Sequence, residues 1–434
     1  MTDAILVISK YLIVIFMGFY VYESFMAIKA RDELVQKRYC FKQSVLFYVI
    51  HGLCYLSIYL HVFKDKIVIF YGMQLIYFVL VIEINKLLYK KYNRQLLNAM
   101  CMMLMVGFTM LTRLSYDKAF RQFIICVSAT IVAYGISFIM KKIKKLRNYS
   151  YIYATLGIGI LLLVYIIGDV TNGAKISLDL GFISIQPSEF IKITYVMFIS
   201  GILYKSQSWL GIITSGIFAS IHVVVLVFSS DLGTALIFFT VYLFLVFMAT
   251  GKYAILLGGL AAGSGAAFVA YKIFNHVRVR VAAWLDPWSI IDGKGYQIAQ
   301  SLFAIGTGGL FGLGIYNGMP GTIPVVDQDF IFSAISEEFG AIFAICILLL
   351  SLNIFFIFIR TALRCKDNFY KLVCAGLAVS YGIQLFLTVG GAIKLIPSTG
   401  VTYPLLSYGG SSLMSTIFIF FIIQGVKINE EDER

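Results

Sequence analysis

Two carboxylates, Asp327 and Asp329, close a Gly-rich polar stretch (about 274–328) and stand at the mouth of an apolar run that opens Phe330-Ile331-Phe332. An acid at such a boundary suits general-base chemistry, taking a proton from a hydroxyl on a substrate that lives in the bilayer. The plain alternative is that Asp329 caps the helix that follows. Capping hydrogen bonds and the helix dipole would lower its pKa, whereas partial desolvation and the neighbouring Asp327 would raise it. Glu337 and Glu338, two turns further in, read as dipole partners or as part of a polar pocket.

Other charged groups recur at points where membrane helices rarely carry them. In Gln186-Pro187-Ser188-Glu189-Phe190-Ile191-Lys192, proline suits a first helical turn. Glu189 and Lys192 then share a face, either as an ion pair pinning helices or as substrate ligands. Asp231 in Ser230-Asp231-Leu232-Gly233-Thr234 reads as a helix cap. Arg278 and Arg280 open the polar stretch, and a guanidinium suits either phosphate oxygens or anionic headgroups. Trp284 and Trp288 read as interface anchors. The glycines of 306–314 lack the GxGxxG spacing and a preceding strand, which argues against a nucleotide site. Gly259 and Gly263 read as small-residue helix packing. Seven scattered cysteines with no CxxC pair, and four scattered histidines, point to neither a disulfide framework nor a zinc site.

The elements that must position these groups follow from composition. The 434 residues are 60% hydrophobic and 13% charged, with mean hydropathy +0.88. Apolar runs of about 18–22 residues match the length of membrane-spanning helices, and backbone satisfaction in lipid excludes open irregular structure. The expected fold is an all-α polytopic membrane protein with thirteen spans: 4–27, 44–63, 67–88, 96–113, 121–140, 150–168, 187–204, 209–229, 231–250, 253–273, 330–358, 371–390 and 406–426. The net charge of +13 lies in short loops, which reads as the positive-inside pattern rather than as a nucleic-acid surface. Lys29 to Lys42, Lys90 to Arg94, Lys141 to Arg147 and Arg360 to Lys371 all fall on one side, taken as cytoplasmic, with the N-terminus outside and the tail from Lys427 to Arg434 inside. No basic n-region or cleavage site marks a signal peptide. Three stretches then lie outside: 168–186, 275–328, whose run 296–303 is amphipathic and expected to be structured, and 390–403.

Five motifs in order, QPSEFIK, DLGTA, RVAAWLDPW with GYQIAQS, DFIFSAISEEFG and PSTGVTYPLLSYGGSS, resemble the SEDS family (shape, elongation, division and sporulation; the FtsW/RodA/SpoVE group). Residues 104–111, 119–122 and Asn172-Gly173-Ala174-Lys175 extend the resemblance, which covers about 93–428, with loop 274–329 external and 429–434 a cytoplasmic tail. The resemblance implies a peptidoglycan glycosyltransferase that polymerises lipid II at the outer membrane face beside a class B penicillin-binding protein. It places Asp329 on the family's essential external aspartate, an inverting general base. Beside it, Arg278, Arg280, Lys394, Glu189, Lys192, Gln297 and Ser411 are the substrate-binding candidates. No metal ligand set is implied, although a divalent cation, magnesium or manganese, is a candidate at the pyrophosphate. A lipid II flippase and a non-catalytic scaffold are the alternatives. The chain departs from the family pattern at Ile323 to Gln328, Thr388, Lys394, Arg113 and Leu114. Residues 1–92 have no counterpart in the ten-span core.

Overall fold

The computed structural model describes residues 2–432 apart from 90, 143–145, 172–173, 180, 182–183 and 294. Lys90, Lys144, Lys145, Asn172, Gly173 and the last two residues of the tail therefore lie outside the described residues.

All thirteen expected spans are helices: α1 (Thr2–Lys29), α2 (Glu33–Val62), α3 (Asp65–Leu88), α4 (Arg94–Leu114), α5 (Tyr116–Lys142), α6 (Ser150–Ile167), α7 (Pro187–Lys205), α8 (Trp209–Phe228), α9 (Leu232–Thr250), α10 (Tyr253–Ile273), α13 (Ile331–Arg364), α14 (Asn368–Ala392) and α15 (Gly410–Asp432). Two shorter helices, α11 (Asn275–Leu285) and α12 (Tyr296–Gly308), occupy the long polar stretch. The amphipathic run is thus folded, as its pattern predicted, with Ile298, Ala299, Ser301 and Ala304 buried. Hydropathy gave no sign of a small antiparallel sheet between α6 and α7. Its strands are β1 (Asp169–Thr171), β2 (Ala174–Asp179) and β3 (Ser184–Ile185), with Asp169 opposite Ser177 and Leu178 opposite Ile185.

The bundle is built around α4, whose spanning window is fully buried. Flexible side chains such as Met100, Met102, Met103, Met105 and Met110 fill the gaps around it. By contrast, α10 buries none of its residues. It packs on α9 through two glycines: a Cβ on Gly259 would lie 2.2 Å from Leu243, and one on Gly263 would lie 2.6 Å from Phe239. Close backbone approach through small residues is a usual way for membrane helices to associate.

Polar side chains tie α1–α3 to the rest, Tyr77 of α3 bonding Thr130 of α5 at 2.8 Å. Gln95 donates to the Ser24 carbonyl (2.7 Å) and to Asn353 (3.2 Å), Asn98 donates to the Cys40 carbonyl (2.8 Å), and Tyr55 bonds Thr112 (3.1 Å). Such bonds contribute about 0.6–2 kcal/mol each in a membrane. The N-terminal helices are therefore docked on the ten-helix core through specific bonds.

Helix α13 is broken. Gly340 has φ +88° inside it, so the carbonyls of Glu337 and Glu338 are released from the helix. They accept instead from the backbone N–H groups of Leu313 and Gly314, each at 2.9 Å. A side chain at Gly340 would meet the Gly312 nitrogen at 2.3 Å, which explains why glycines face each other here. The 309–319 loop is braced in turn by α1 and α2: Lys10 donates to the Gly312 carbonyl (3.1 Å) and His61 stacks on Tyr316.

Candidate functional site

The turn 325–330 sits where α5, α11, α13 and the 393–409 loop converge. Tyr408 donates its backbone N–H to the Asp327 carbonyl at 2.7 Å, and Ser407 donates its hydroxyl to the Gln328 carbonyl. Gln122 of α5 donates to the Ser407 carbonyl (2.9 Å) and accepts from the Gly409 N–H (3.2 Å). Asp327, buried, is held by Lys118 at 2.6 Å. Within this frame Val325 adopts φ +57°, a left-handed conformation that a β-branched residue tolerates only when its surroundings impose it, at a cost of about 1–3 kcal/mol.

Asp329 is not the cap of α13. The N-cap position belongs to Phe330, and no hydrogen bond or ion pair within 4 Å reaches the Asp329 carboxylate among the described residues. The two effects weighed from sequence are thereby resolved. With no cap to lower it, burial dominates and pushes the Asp329 carboxyl up to about 6; the Arg280 charge opposes this and Asp327 adds to it. Asp329 keeps part of its accessible surface although dense protein surrounds it. The result is a carboxylate without a hydrogen-bond partner among the described residues, on a residue that is only partly buried, whose pKa burial raises toward neutrality.

Arg280 faces it across Gly400. A Cβ on Gly400 would lie 3.8 Å from Asp329 Oδ2 and 3.6 Å from Arg280 Nη2, and the residue's φ of +73° favours glycine in any case. Arg280 is steadied by the Ser398 carbonyl (3.2 Å), and Trp284 donates to the Lys394 carbonyl (3.2 Å), which fixes α11 onto the 393–409 loop. The site thus pairs an unengaged carboxylate with a guanidinium, with an unfilled glycine position between them.

The other sequence candidates fall at graded distances from this pair. Arg278 and Gln297 are exposed on α11 and α12. Lys394 is half-buried in the 393–409 loop with φ +59°. Ser411 accepts from the Gln186 N–H (2.9 Å), so its hydroxyl orders the entry to α7. Glu189 (8% exposed) and Lys192 (3% exposed) form an ion pair at 2.5 Å. Ser415 donates to Glu189 (2.9 Å), Lys192 donates to Gln384 (2.8 Å), and Gln384 donates to the Thr402 carbonyl (3.1 Å). This network is satisfied internally and supports the loop that carries Gly400. Asp231 caps α9 through the Thr234 N–H (3.1 Å), as its motif predicted. Its carboxyl is raised by burial and feels both Glu189 and Arg280, which links the buried pair to the site electrostatically.

Three features had no sequence signal strong enough to identify them: Lys118 as partner of Asp327, Gly400 as the gap between Arg280 and Asp329, and a buried pair of Arg113 with Glu338 at 2.8 Å. Arg113 also donates to the Gly318 carbonyl (3.1 Å) and stacks on Tyr316. Its departure from the family pattern was visible, but its partner lies 225 residues away. Among the described residues no three His, Cys, Asp or Glu side chains converge as a metal set. Asp327 is engaged by Lys118 at 2.6 Å.

Comparison with known proteins matches residues 92–432 to the model of the FtsW/RodA/SpoVE family, described as cell cycle protein. The peptidoglycan glycosyltransferase RodA of Mycobacterium tuberculosis (strain ATCC 25618 / H37Rv) is 40% identical over 306 residues, 65% of this chain. The match spans 65% of that relative's length. Stage V sporulation protein E of Bacillus subtilis (strain 168) is 34% identical, covering 62% of this chain and 75% of the relative. In fold, the chain is similar to a structure described as the structural coordination of polymerization and crosslinking by a peptidoglycan synthase complex (TM-score 0.68, 24% identity, 78% of this chain and 98% of that chain). It is also similar to the rod shape determining protein RodA of Thermus thermophilus (TM-score 0.58, 23% identity, 77% and 96%).

Proposed function

The chain belongs to the FtsW/RodA/SpoVE family, and from that premise we propose that it is a peptidoglycan glycosyltransferase that polymerises lipid II, with Asp329 as general base. The sugar hydroxyl at the 4-position of the acceptor loses its proton to Asp329 and attacks the anomeric carbon of the donor. The bond from that carbon to the polyprenyl pyrophosphate breaks with inversion, and the pyrophosphate leaves with the electron pair. One observation carries the reading: an Asp329 carboxylate free of hydrogen bonds, raised to about 6 by burial, across Gly400 from Arg280. Such a base is ionised at neutral pH yet close enough to it in pKa for efficient proton transfer.

Arg280 balances charge on the departing pyrophosphate, with Arg278 and Lys394 as outer contacts on the same approach. Gln297 and Ser411 are candidate sugar contacts, and Glu189 with Lys192 supports the 393–409 loop. A magnesium or manganese ion, where it takes part, arrives on the substrate's own phosphate oxygens. The positive-inside pattern supports a reading with Asp329 outside the cell and the C-terminus in the cytoplasm. A product strand at that face calls for a crosslinking partner in the same membrane, a class B penicillin-binding protein.

Purified full-length chain given labelled lipid II tests the reading. Glycan polymer from the parent, reduced about 10²-fold or more in D329N, supports it. Transbilayer movement of lipid II without polymer would point to a flippase, and neither activity with transpeptidase binding intact would point to a scaffold.

A further inference from the structure

The end of the bundle opposite Asp329 holds a cavity of about 600 Å³ that the reaction above does not use. Its wall is shared between the N-terminal helices and the core. Lys37 of α2 and Lys86 of α3 come from the first, and Arg94 of α4, Arg360 and Arg364 of α13 and Lys427 of α15 come from the second. With Lys91, seven basic side chains line it against two carboxylates, Glu33 and Glu430. Glu33 is paired with Lys37 at 2.8 Å, Lys86 is paired with Glu83 at 3.3 Å, and Glu430 accepts from the Lys366 backbone N–H at 3.0 Å. Basic side chains therefore outnumber carboxylates on the cavity wall. Asp329 precedes one end of α13, and the cavity lies at the other, where Ile357, Arg360, Thr361 and Arg364 line it.

The positive-inside pattern explains the sign of this charge but not its convergence on one cavity. Arg94 makes the difference concrete. It occupies the first position of α4, where the helix dipole is positive and disfavours a cation. Its Nε is buried with no hydrogen-bond partner, and Nη2 reaches only Ser44 at 3.3 Å. A buried guanidinium N–H without an acceptor is costly. An anion placed here would satisfy the arginine and the helix terminus together.

We propose that this cavity binds an anion carrying two phosphoryl groups and that the N-terminal helices supply one wall of the site. The volume exceeds what a single phosphate fills, and the excess of positive charge suits more than one. A cardiolipin headgroup and free pyrophosphate share this chemistry, and basic pockets between helices on the cytoplasmic side are recognised headgroup sites.

The test uses the full chain in detergent, with native mass spectrometry for cardiolipin and calorimetry for inorganic pyrophosphate. Cardiolipin retained by the parent and weakened about tenfold or more in R94Q/R364Q, as expected for lost charge-assisted bonds, supports a lipid headgroup. Pyrophosphate binding weakened by the same variant supports a soluble ligand. K86Q/R364Q, which alters only exposed side chains, gives the same comparison should R94Q/R364Q fold poorly. K205Q/K252Q, basic residues outside the cavity, should change neither. Binding of neither probe, or an equal loss in K205Q/K252Q, overturns the proposal.

Discussion

At the residue scale the account rests on how Asp329 titrates. A general base must be ionised, so polymerisation should rise with pH through an acid limb near 6, the value to which burial pushes this carboxyl, and level off above it. Arg280 opposes the upward shift, so R280Q should move that limb to higher pH as well as slow the reaction. A limb that stays in place in R280Q would mean that the two groups are not coupled. Because the folded pKa is raised, the ionised carboxylate works against the fold. Its contribution is fully present below the ordinary carboxylate pKa and is lost as pH rises through about 6. D329N should therefore melt no lower than the parent at neutral pH, which separates lost chemistry from lost structure. The candidate base was legible from sequence because an acid at the entry to an apolar run is conspicuous. The absence of a cap was not, since capping depends on whether the helix starts at 330 or 331.

At the element scale the break at Gly340 and the loop folded into it set where the first segment of α13 points. Buried Glu338 (0% exposed) depends on Arg113 for compensation. Removing one partner of such a pair typically costs about 3–5 kcal/mol, because the other charge is left buried, whereas replacing both with apolar residues is often near neutral. R113M should lower the melting temperature in detergent, and R113M/E338M should recover most of the loss. Equal destabilisation by both variants would show that the pair itself is not what holds the loop. The spans were legible from their apolar runs. Twelve of the thirteen expected spans are, among the described residues, helices long and apolar enough to cross a membrane; α7, whose start carries Glu189 and Lys192, falls short of that. The sheet of 169–185, helix α11 and the Gly340 break were not legible, because short strands, an Arg-rich helix of low hydrophobicity and a single glycine leave no periodic trace.

At the scale of the whole molecule, the N-terminal helices reach both ends of the core, bracing the 309–319 loop at one and walling the basic cavity at the other. Sequence showed them as three extra spans and nothing more, since their contacts are all long-range. The orientation has its own check: in whole cells, an impermeant thiol reagent should label a cysteine placed at exposed position 278 and spare one at 366. The reverse pattern would put Asp329 on the wrong side for outer-face chemistry. The most direct measurement of the central claim is polymerisation of labelled lipid II by full-length protein, parent against D329N, both shown to be folded by their melting curves. The account predicts glycan strands from the parent and a loss of about 10²-fold or more in the variant; strands made equally well by a folded D329N would contradict it.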